Sequence, residues 1–320
     1  LNLEVWPSAP NLARVSAATP SDLRATTRYC AVLGHPVRHS ASPAMQNAGI
    51  AALGLDWRYL AFDTPPEQLA EAIAGAKAMR FIGLNLTVPH KLLAVSLVDA
   101  LDASARKWGA VNTIRFEARD RGGRWRPLGE CTEPPAGKVR AHGFNTDADA
   151  IVRALREDLS VRLRGARVLL LGAGGAGRVA ALRLAEAGVQ SLHLVNRTRA
   201  RAAQLAKEIR RRSPRVRVAV GYPEGAVDLV LNATSLGLKP GDELPFDGAL
   251  FRLERARAAY DMIYRPAETP FLRAAWRAGC RTANGIGMLL YQGAAALEIW
   301  TGKRAPINAM RRALEHEIYG

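Results

Sequence analysis

Short apolar runs of strand length alternate with longer stretches of helical spacing along most of this chain. From Tyr29 the order reads strand (YCAVLG), helix (Pro43 to Leu53), strand (WRYLAF), helix (Pro66 to Met79), strand (FIGLNLTV) and helix (His90 to Leu101). Alternation of this kind predicts a parallel α/β sheet. After AVNTIRF, the stretch from Glu117 to His142 carries Gly122-Gly123, Pro134-Pro135 and many charges, which predicts an exposed hairpin and loop. Regular structure resumes at GFNTDADAIVRAL. A second alternating region starts near Gly165 and runs through VDLVLNAT and AAYDMIY, with a helix from Glu268 to Ala278. Beyond NGIGM, the runs LLYQGAAALEIW and INAMRRALEHEIY have helical apolar spacing and by position return to the first half.

The predicted fold is α/β with two domains. Residues 29–148 form a mixed or parallel α/β substrate domain, and residues 149–284 form a Rossmann-type, doubly wound domain. The helices of 285–320 return to the first domain. Residues 1–28 carry three prolines and little periodicity, and read as an extension of undetermined order.

The stretch RVLLLGAGGAGRVAALRLAEAGVQSLHLVNRT, residues 167–198, is strand, glycine loop, amphipathic helix and second strand. Gly172, Gly174 and Gly177 supply G-x-G-x-x-G: one turns the chain, one lets backbone approach a pyrophosphate, one packs helix on strand. Backbone N–H groups at the helix start then face the phosphates. An NAD site would place Asp or Glu at the end of the second strand, to accept from the adenosine ribose. Here that position is Asn196, followed by Arg197. A carboxylate would repel a 2′-phosphate, whereas Arg197, with Thr198 and Arg201 nearby, can donate charge-assisted hydrogen bonds to it. The expected cofactor is NADP.

At 320 residues the chain has room for two ordinary domains. No stretch approaches the roughly 20 apolar residues of a membrane span, so no membrane is expected and the cytoplasm is the expected location. Cys30, Cys131 and Cys280 are odd in number and far apart, which suits neither a disulfide framework nor a metal cluster. The net charge of +16 raises the question of nucleic acid. Of 45 basic residues only 7 are lysine, and the arginines are scattered over nearly every segment. Only Arg210 to Arg212, with Arg215 and Arg217, form a run, which reads as a solvated helix end, so no nucleic-acid partner is expected. The chain does not reveal its oligomeric state, and a homodimer stays open.

Hydride transfer at a carbinol carbon needs a group that takes or gives the hydroxyl proton. Lys91 is the candidate. In NLTVPHK the strand ends near Asn85 and Thr87, Pro89 suits the first turn of a helix, and Lys91 falls by the strand's carboxyl edge, where open sheets bind ligands. In GFNTDAD, Asn145, Thr146 or Asp147 could simply cap a helix; paired with Lys91, Asp147 can instead orient the ammonium and share its proton. In HSASP, Ser40 and Ser42 alternate, so two hydroxyls could face one pocket and bind a carboxylate, while Ser42 before Pro43 could equally cap the helix. Asn112 and Gln292 carry amides able to read hydroxyls, or to brace backbone. His39 and His90 lack partners at metal-like spacing and read as neutral loop or surface histidines, so no metal is expected.

HSASP, NLTVPHK, AVNT, NTDA, GAGGAG, NRT, NATS, YDMIY and NGIGMLLYQ occur in the order found in shikimate dehydrogenases, and the stretch from Tyr29 to Ile318 resembles that family. The resemblance implies a two-domain enzyme that interconverts shikimate and 3-dehydroshikimate with NADP, in aromatic amino acid biosynthesis. It implies Lys91 and Asp147 as the acid–base pair. It implies Ser40, Ser42, Asn85, Thr87, Asn112, Tyr264 and Gln292 as the substrate shell. On the cofactor side it points to Gly172, Ala173, Gly174, Gly175, Ala176, Gly177, Asn196, Arg197, Thr198, Arg201, Thr234, Met262 and Gly285. Phe144 stands before NTD where the family also uses polar residues, which bears on the polarity of the pocket.

Two alternatives remain at this point. A quinate or aminoshikimate dehydrogenase would use the same scaffold; retention of Ser40, Ser42 and Thr87 favours shikimate, because quinate carries an extra hydroxyl beside its carboxylate. A non-catalytic ligand sensor would also use the pocket, but loss of the lysine or aspartate would be its mark, and both are present.

Overall fold

The computed structural model describes residues 23–133, 136–239 and 241–320. Most of the proposed extension and Pro134-Pro135 lie outside the described residues; the extension's last residue, Arg28, opens the first strand.

The first sheet contains β1 (Arg28–Gly34), β2 (Trp57–Asp63), β3 (Gly83–Leu86), β4 (Ala100–Leu101), β5 (Thr113–Arg119), β6 (Trp125–Pro127) and β7 (Val139–Phe144). Their order is β2-β1-β3-β5-β7-β4, with β6 paired to β5. The sheet is mixed: β1 runs parallel to β2 and β3, whereas β5 is antiparallel to β3, β6 and β7. A fully parallel sheet is therefore not what forms. Among the described residues the segment β5-β6-β7 contains no long helix, and parallel neighbours need a crossover of a dozen residues or more. Helices α1 (Ser42–Ala52), α2 (Leu69–Ala78), α3 (His90–Leu93) and α4 (Ala103–Trp108) accompany this sheet, and α5 (Asp147–Leu159) leads out of it to pack on the helices of the second half.

One expectation fails and another is corrected in part here for one reason, long-range pairing. The helix expected over His90 to Leu101 stops at Leu93, followed by one 3-10 turn and then β4. Asp99 N–H donates to Ala141 O, the Asp99 carboxylate accepts from Ala141 N, and Asp102 N–H donates to Gly143 O, so β7 draws this segment into the sheet. The exposed hairpin expected from Glu117 to His142 forms as β5 and β6, with an exposed tip at residues 121, 122 and 124, but its base is sheet: β7 pairs beside β5 and Glu117 is only 2% exposed. Arg115, Arg140 and His142 reach its carboxylate from the same sheet face, which offsets the burial of its charge.

The second sheet contains β8 (Arg167–Leu171), β9 (Ser191–Val195), β10 (Arg217–Val220), β11 (Leu229–Asn232), β12 (Ala258–Asp261) and β13 (Arg281–Ala283), in the order β10-β9-β8-β11-β12-β13. All of its pairs are parallel. Strand order reverses between β8 and β11, and ligands bind such sheets beyond the carboxyl ends of the strands at that reversal. The helices are α6 (Gly175–Glu186), α7 (Arg199–Arg212), α8 (Pro270–Arg277), α9 (Ile286–Thr301) and α10 (Ile307–Tyr319). Arg217, read from sequence as part of a solvated basic run at a helix end, is exposed but opens β10, with the valines at 216 and 218 packed inward.

Helices α9 and α10 pack on α1 of the first sheet's side. Gln46 donates to Gly293 O at 2.9 Å, and the buried Trp300 donates its indole N–H to Ile114 O at 2.9 Å. A side chain at Gly83 would begin 2.1 Å from that indole nitrogen, so the strand admits only glycine where Trp300 lies across it. Burial of a side chain of this size stabilises by roughly 2–3 kcal/mol, which ties the end of the chain to the first sheet.

Candidate active site

A cleft of about 190 Å3 lies where the two halves face each other. Ser40, Ser42, Asn85, Thr87, Lys91, Asp147, Tyr264 and Gln292 line it, together with Ala176, Met262 and Gly285 from the second sheet's side. The apolar wall of Val32, Leu86, Met288 and Leu289 was not singled out from sequence. Its signal was present: Met288 and Leu289 precede Gln292 by one helical turn.

Lys91 and Asp147 come from separate elements 56 residues apart and meet at 2.7 Å between Nζ and Oδ2. Lys91 sits in the first turn of α3, just past β3, and Asp147 is the first residue of α5. The Asp147 side chain is 7% exposed, and its other oxygen accepts from Asn112 Nδ2 at 3.0 Å. Both carboxylate oxygens are thus held. Asn112 is buried behind the cleft wall: its Oδ1 accepts from Thr146 N at 2.7 Å, and its Nδ2 also donates to Thr146 Oγ1 at 2.9 Å. It reaches Gln292 Oε1 only at 3.5 Å. Thr146 holds the cap position of α5 without a side-chain bond to the helix, and Asn145 Oδ1, one residue earlier, accepts from Ala148 N, leaving Asp147 free to face the ammonium.

Asn85 is fixed by Tyr59, which donates its hydroxyl to Asn85 Oδ1 at 2.8 Å, and by donation of Nδ2 to Thr113 Oγ1 at 3.1 Å. Tyr59 and Thr113 were not anticipated, although both point inward from strands by simple alternation. Ser42 does not cap α1: Ala41 holds that position, and Ser40 Oγ accepts from Ser42 N at 3.3 Å. Phe144 stays out of the cleft. It packs at a tilt against His142, ring centroids 4.5 Å apart, and lies beneath the Arg115 guanidinium at 5.0 Å. His39 is exposed, whereas His90 is fully buried rather than on the surface. Burial pushes the His90 imidazole below its ordinary value, favouring the neutral ring.

The glycine loop lies between β8 and α6. Gly172 has φ 102°, a left-handed conformation that favours glycine. A Cβ on Gly177 would begin 2.2 Å from Gly172 O, so helix packs on loop without a side chain between them. Gly174 and Gly175 instead face open space, a cradle bordered by Ala173 and Ala176. Asn196 Oδ1 accepts from Ala173 N at 2.9 Å and braces loop to strand. Arg197, Thr198 and Arg201 are exposed just beyond, at the start of α7.

Thr234 and Met262 follow β11 and β12. The buried carboxylate of Asp261, unanticipated from sequence, accepts from Asn232 Nδ2, Ile263 N and Thr269 Oγ1, and Asn232 in turn accepts from the Thr234 hydroxyl at 2.8 Å. Burial pushes the Asp261 carboxyl up to about 6 against those three hydrogen bonds. A carboxylate inside an otherwise apolar strand was the available signal. Gly285 packs against Met262, where a Cβ would begin 2.2 Å from the Met262 carbonyl oxygen.

Family sequence profiles match along the chain: the shikimate dehydrogenase substrate binding domain over residues 32–114, shikimate / quinate 5-dehydrogenase over 154–235, and the shikimate 5'-dehydrogenase C-terminal domain over 285–315. A shikimate dehydrogenase (NADP(+)) of Moorella thermoacetica is 43% identical over 306 residues, 92% of this chain and 95% of that protein. The chain belongs to the shikimate dehydrogenase family. Among solved structures, a shikimate dehydrogenase in complex with NADP+ is 36% identical with TM-score 0.79, covering 93% of this chain and 98% of that one. The Thermus thermophilus shikimate 5-dehydrogenase, solved with NADP(H) and shikimate, is 36% identical with TM-score 0.75 over 91% of this chain and 99% of that one. The α/β architecture with an N-terminal substrate-binding domain and a Rossmann-like nucleotide domain is that of the family.

Proposed function

We propose that this chain is a shikimate dehydrogenase that reversibly reduces 3-dehydroshikimate to shikimate with NADPH, with Lys91 and Asp147 as its acid–base pair. The observation that carries the reading is their 2.7 Å contact, on a cleft whose opposite wall is Ala176, Met262 and Gly285. Residues 29–148 act as the substrate unit, 149–284 as the cofactor unit, and 285–320 as helices returned to the first.

The cofactor fits the residues present. Gly174 and Gly175 leave the space that a pyrophosphate needs, backbone N–H groups open α6 there, and exposed Arg197 and Arg201 stand where a 2′-phosphate would lie. When bound, NADPH supplies the hydride to the substrate carbonyl carbon. Lys91 donates its proton to the carbonyl oxygen as that oxygen becomes a hydroxyl, and takes the proton back in the oxidative direction. Asp147 holds the ammonium in place and accepts from a ring hydroxyl. Ser40 and Ser42 donate to the carboxylate at the far end of the ring, and Asn85, Thr87, Tyr264 and Gln292 read the remaining hydroxyls. Holding both ends of the ring fixes the reacting carbon against the cofactor wall.

The test is nicotinamide absorbance with purified protein, shikimate and NADP, run beside quinate, NAD and Lys91→Ala. Rapid reduction of NADP with shikimate, lost in the variant while binding persists, is expected. Turnover chiefly with quinate or NAD would overturn the specificity, and binding without turnover would overturn the enzyme reading.

A further inference from the structure

The carbonyl end of α4 is held by arginines from the other half of the molecule. This helix closes at Trp108, with Gly109 left-handed at φ 62°, and the final carbonyls of a helix lack partners within it. Trp108 O accepts from Arg178 Nη1 at 2.7 Å, and Lys107 O accepts from Arg212 Nη1 at 2.7 Å. Both guanidiniums suit the negative end of the helix dipole. One carboxylate aims them. Glu208, on α7, accepts from Arg178 Nε at 3.0 Å and Nη2 at 2.7 Å, a bidentate pair, and also from Arg212 Nη2 at 2.9 Å. The Glu208 side chain is 17% exposed, so solvent weakens its bidentate pair with Arg178 less than a surface pair, while Arg212 is the more exposed of the two arginines.

Each side of this contact continues into the site. Arg178 follows Gly177 in the helix that opens at the glycine loop. On the other side the chain leaves α4 for residues 110–112, where Val111 N donates to Lys91 O at 2.8 Å and Asn112 Nδ2 donates to Asp147 Oδ1 at 3.0 Å. An unbroken run of hydrogen bonds and short backbone thus connects Glu208 to both partners of the Lys91–Asp147 pair.

We propose that Glu208 is a positioning residue: by holding Arg178 and Arg212 on the carbonyl end of α4, it sets the separation between the Lys91–Asp147 pair and the glycine loop. The proposal rests on the reading of these as acid–base pair and cofactor loop. A carboxylate that served only α7 would have no use for the bonds its arginines make to Lys107 and Trp108. With Glu208 neutralised, Arg178 and Arg212 are free to turn into solvent, and the halves separate. Misplacement of about 1 Å can cost on the order of 10²-fold in rate.

The experiment compares the parent protein with Glu208→Gln, which keeps shape and removes charge, and with Arg212→Ala, which cuts one bond across the halves. Spin labels at Met79→Cys and Trp276→Cys, both on exposed positions, report the distance between the halves after Cys131→Ser, since Cys30 and Cys280 are buried. The expected result is a broader or longer distance distribution in both variants, a fall in kcat of about tenfold, and NADP affinity within twofold of the parent. Added salt should move the parent toward the variants. Unchanged distances with unchanged kcat would overturn the proposal, and so would a lower Tm with distances and kcat intact. The distance measurement requires no turnover, so it stands or falls separately from the assignment of substrate.

Discussion

Asn112 donates to one oxygen of Asp147 at 3.0 Å and leaves the other to the Lys91 ammonium at 2.7 Å, so a single carboxylate couples a buried amide to the charged end of a lysine. Groups that act as a unit lose their effect together. Lys91→Ala and Asp147→Asn should each lower kcat by about 10²–10⁴-fold, and the double variant should be no slower than the worse single. Steady-state rates at saturating shikimate and NADP decide it; losses that multiply would mean two independent residues.

The Asn112 side chain reaches cleft residues through Asp147 and the distant Gln292 amide, while its backbone carbonyl accepts from Asn85 Nδ2 and Leu86 N and is kept by any substitution. Asn112→Ala also strips Thr146 N of its partner and leaves Thr146 Oγ1 with Thr113 Oγ1 at 3.4 Å, and a buried polar group left unpaired costs about 1–3 kcal/mol. The expected kinetic signature is a lower kcat with the KM for shikimate within about threefold, because orientation of the carboxylate suffers while the hydroxyl-reading residues stay. A large KM change with kcat preserved would instead make Asn112 a substrate ligand.

The glycine loop and the polar triplet after β9 were readable from sequence because each is local: a few residues set the turn, the helix start and the selector. The same holds for the serines and for Lys91, which follow β1 and β3 at the starts of α1 and α3. What escaped depends on partners far along the chain. Nothing near Asp99 announces that Ala141 will pull it into a sheet, and nothing near Glu117 announces Arg140 and His142. Without those partners, periodicity extends a helix through His90–Leu101 and charge places Glu117 in water. The meeting of Lys91 and Asp147 is equally non-local. Spacing suggested each as a candidate; only the fold brings the two together.

Arg197 tests the cofactor side. It is exposed at the end of β9, beside Asn196, which is committed to bracing the loop through Ala173 N. Hydrogen bonds to a charged group contribute about 1.5–3 kcal/mol, so Arg197→Asp should weaken NADP by about 10–100-fold while NAD binding holds or improves. Titration of both nucleotides by intrinsic fluorescence measures this, and equal losses would refute the 2′-phosphate assignment.

Two buried carboxylates should bend the pH dependence of stability in opposite directions. Asp261 has its carboxyl pushed up by burial from an ordinary 3.8 to about 6. The folded state therefore binds that proton more tightly than the unfolded chain, and the stability so gained is full below pH 4 and lost as pH rises through 6. The span corresponds to about 3 kcal/mol. For Glu117, burial alone would raise the carboxyl, but hydrogen bonds from His142, Arg115 and Arg140 outweigh it and hold the group at about 2. Its contribution is present above pH 4.5 and fades as pH falls toward 2. Urea unfolding of the parent, Asp261→Asn and Glu117→Gln should then diverge. The first variant should gain on the parent between pH 4 and 6, because the amide carries no charge to bury. The second should be weaker than the parent at pH 7, by at most about 3 kcal/mol because both arginines stay partly in water, and should draw level in strong acid. Parallel curves for parent and Asp261→Asn across pH 4–6 would show that Asp261 titrates at an ordinary value, and that its hydrogen bonds to Asn232, Ile263 and Thr269 fully offset its burial.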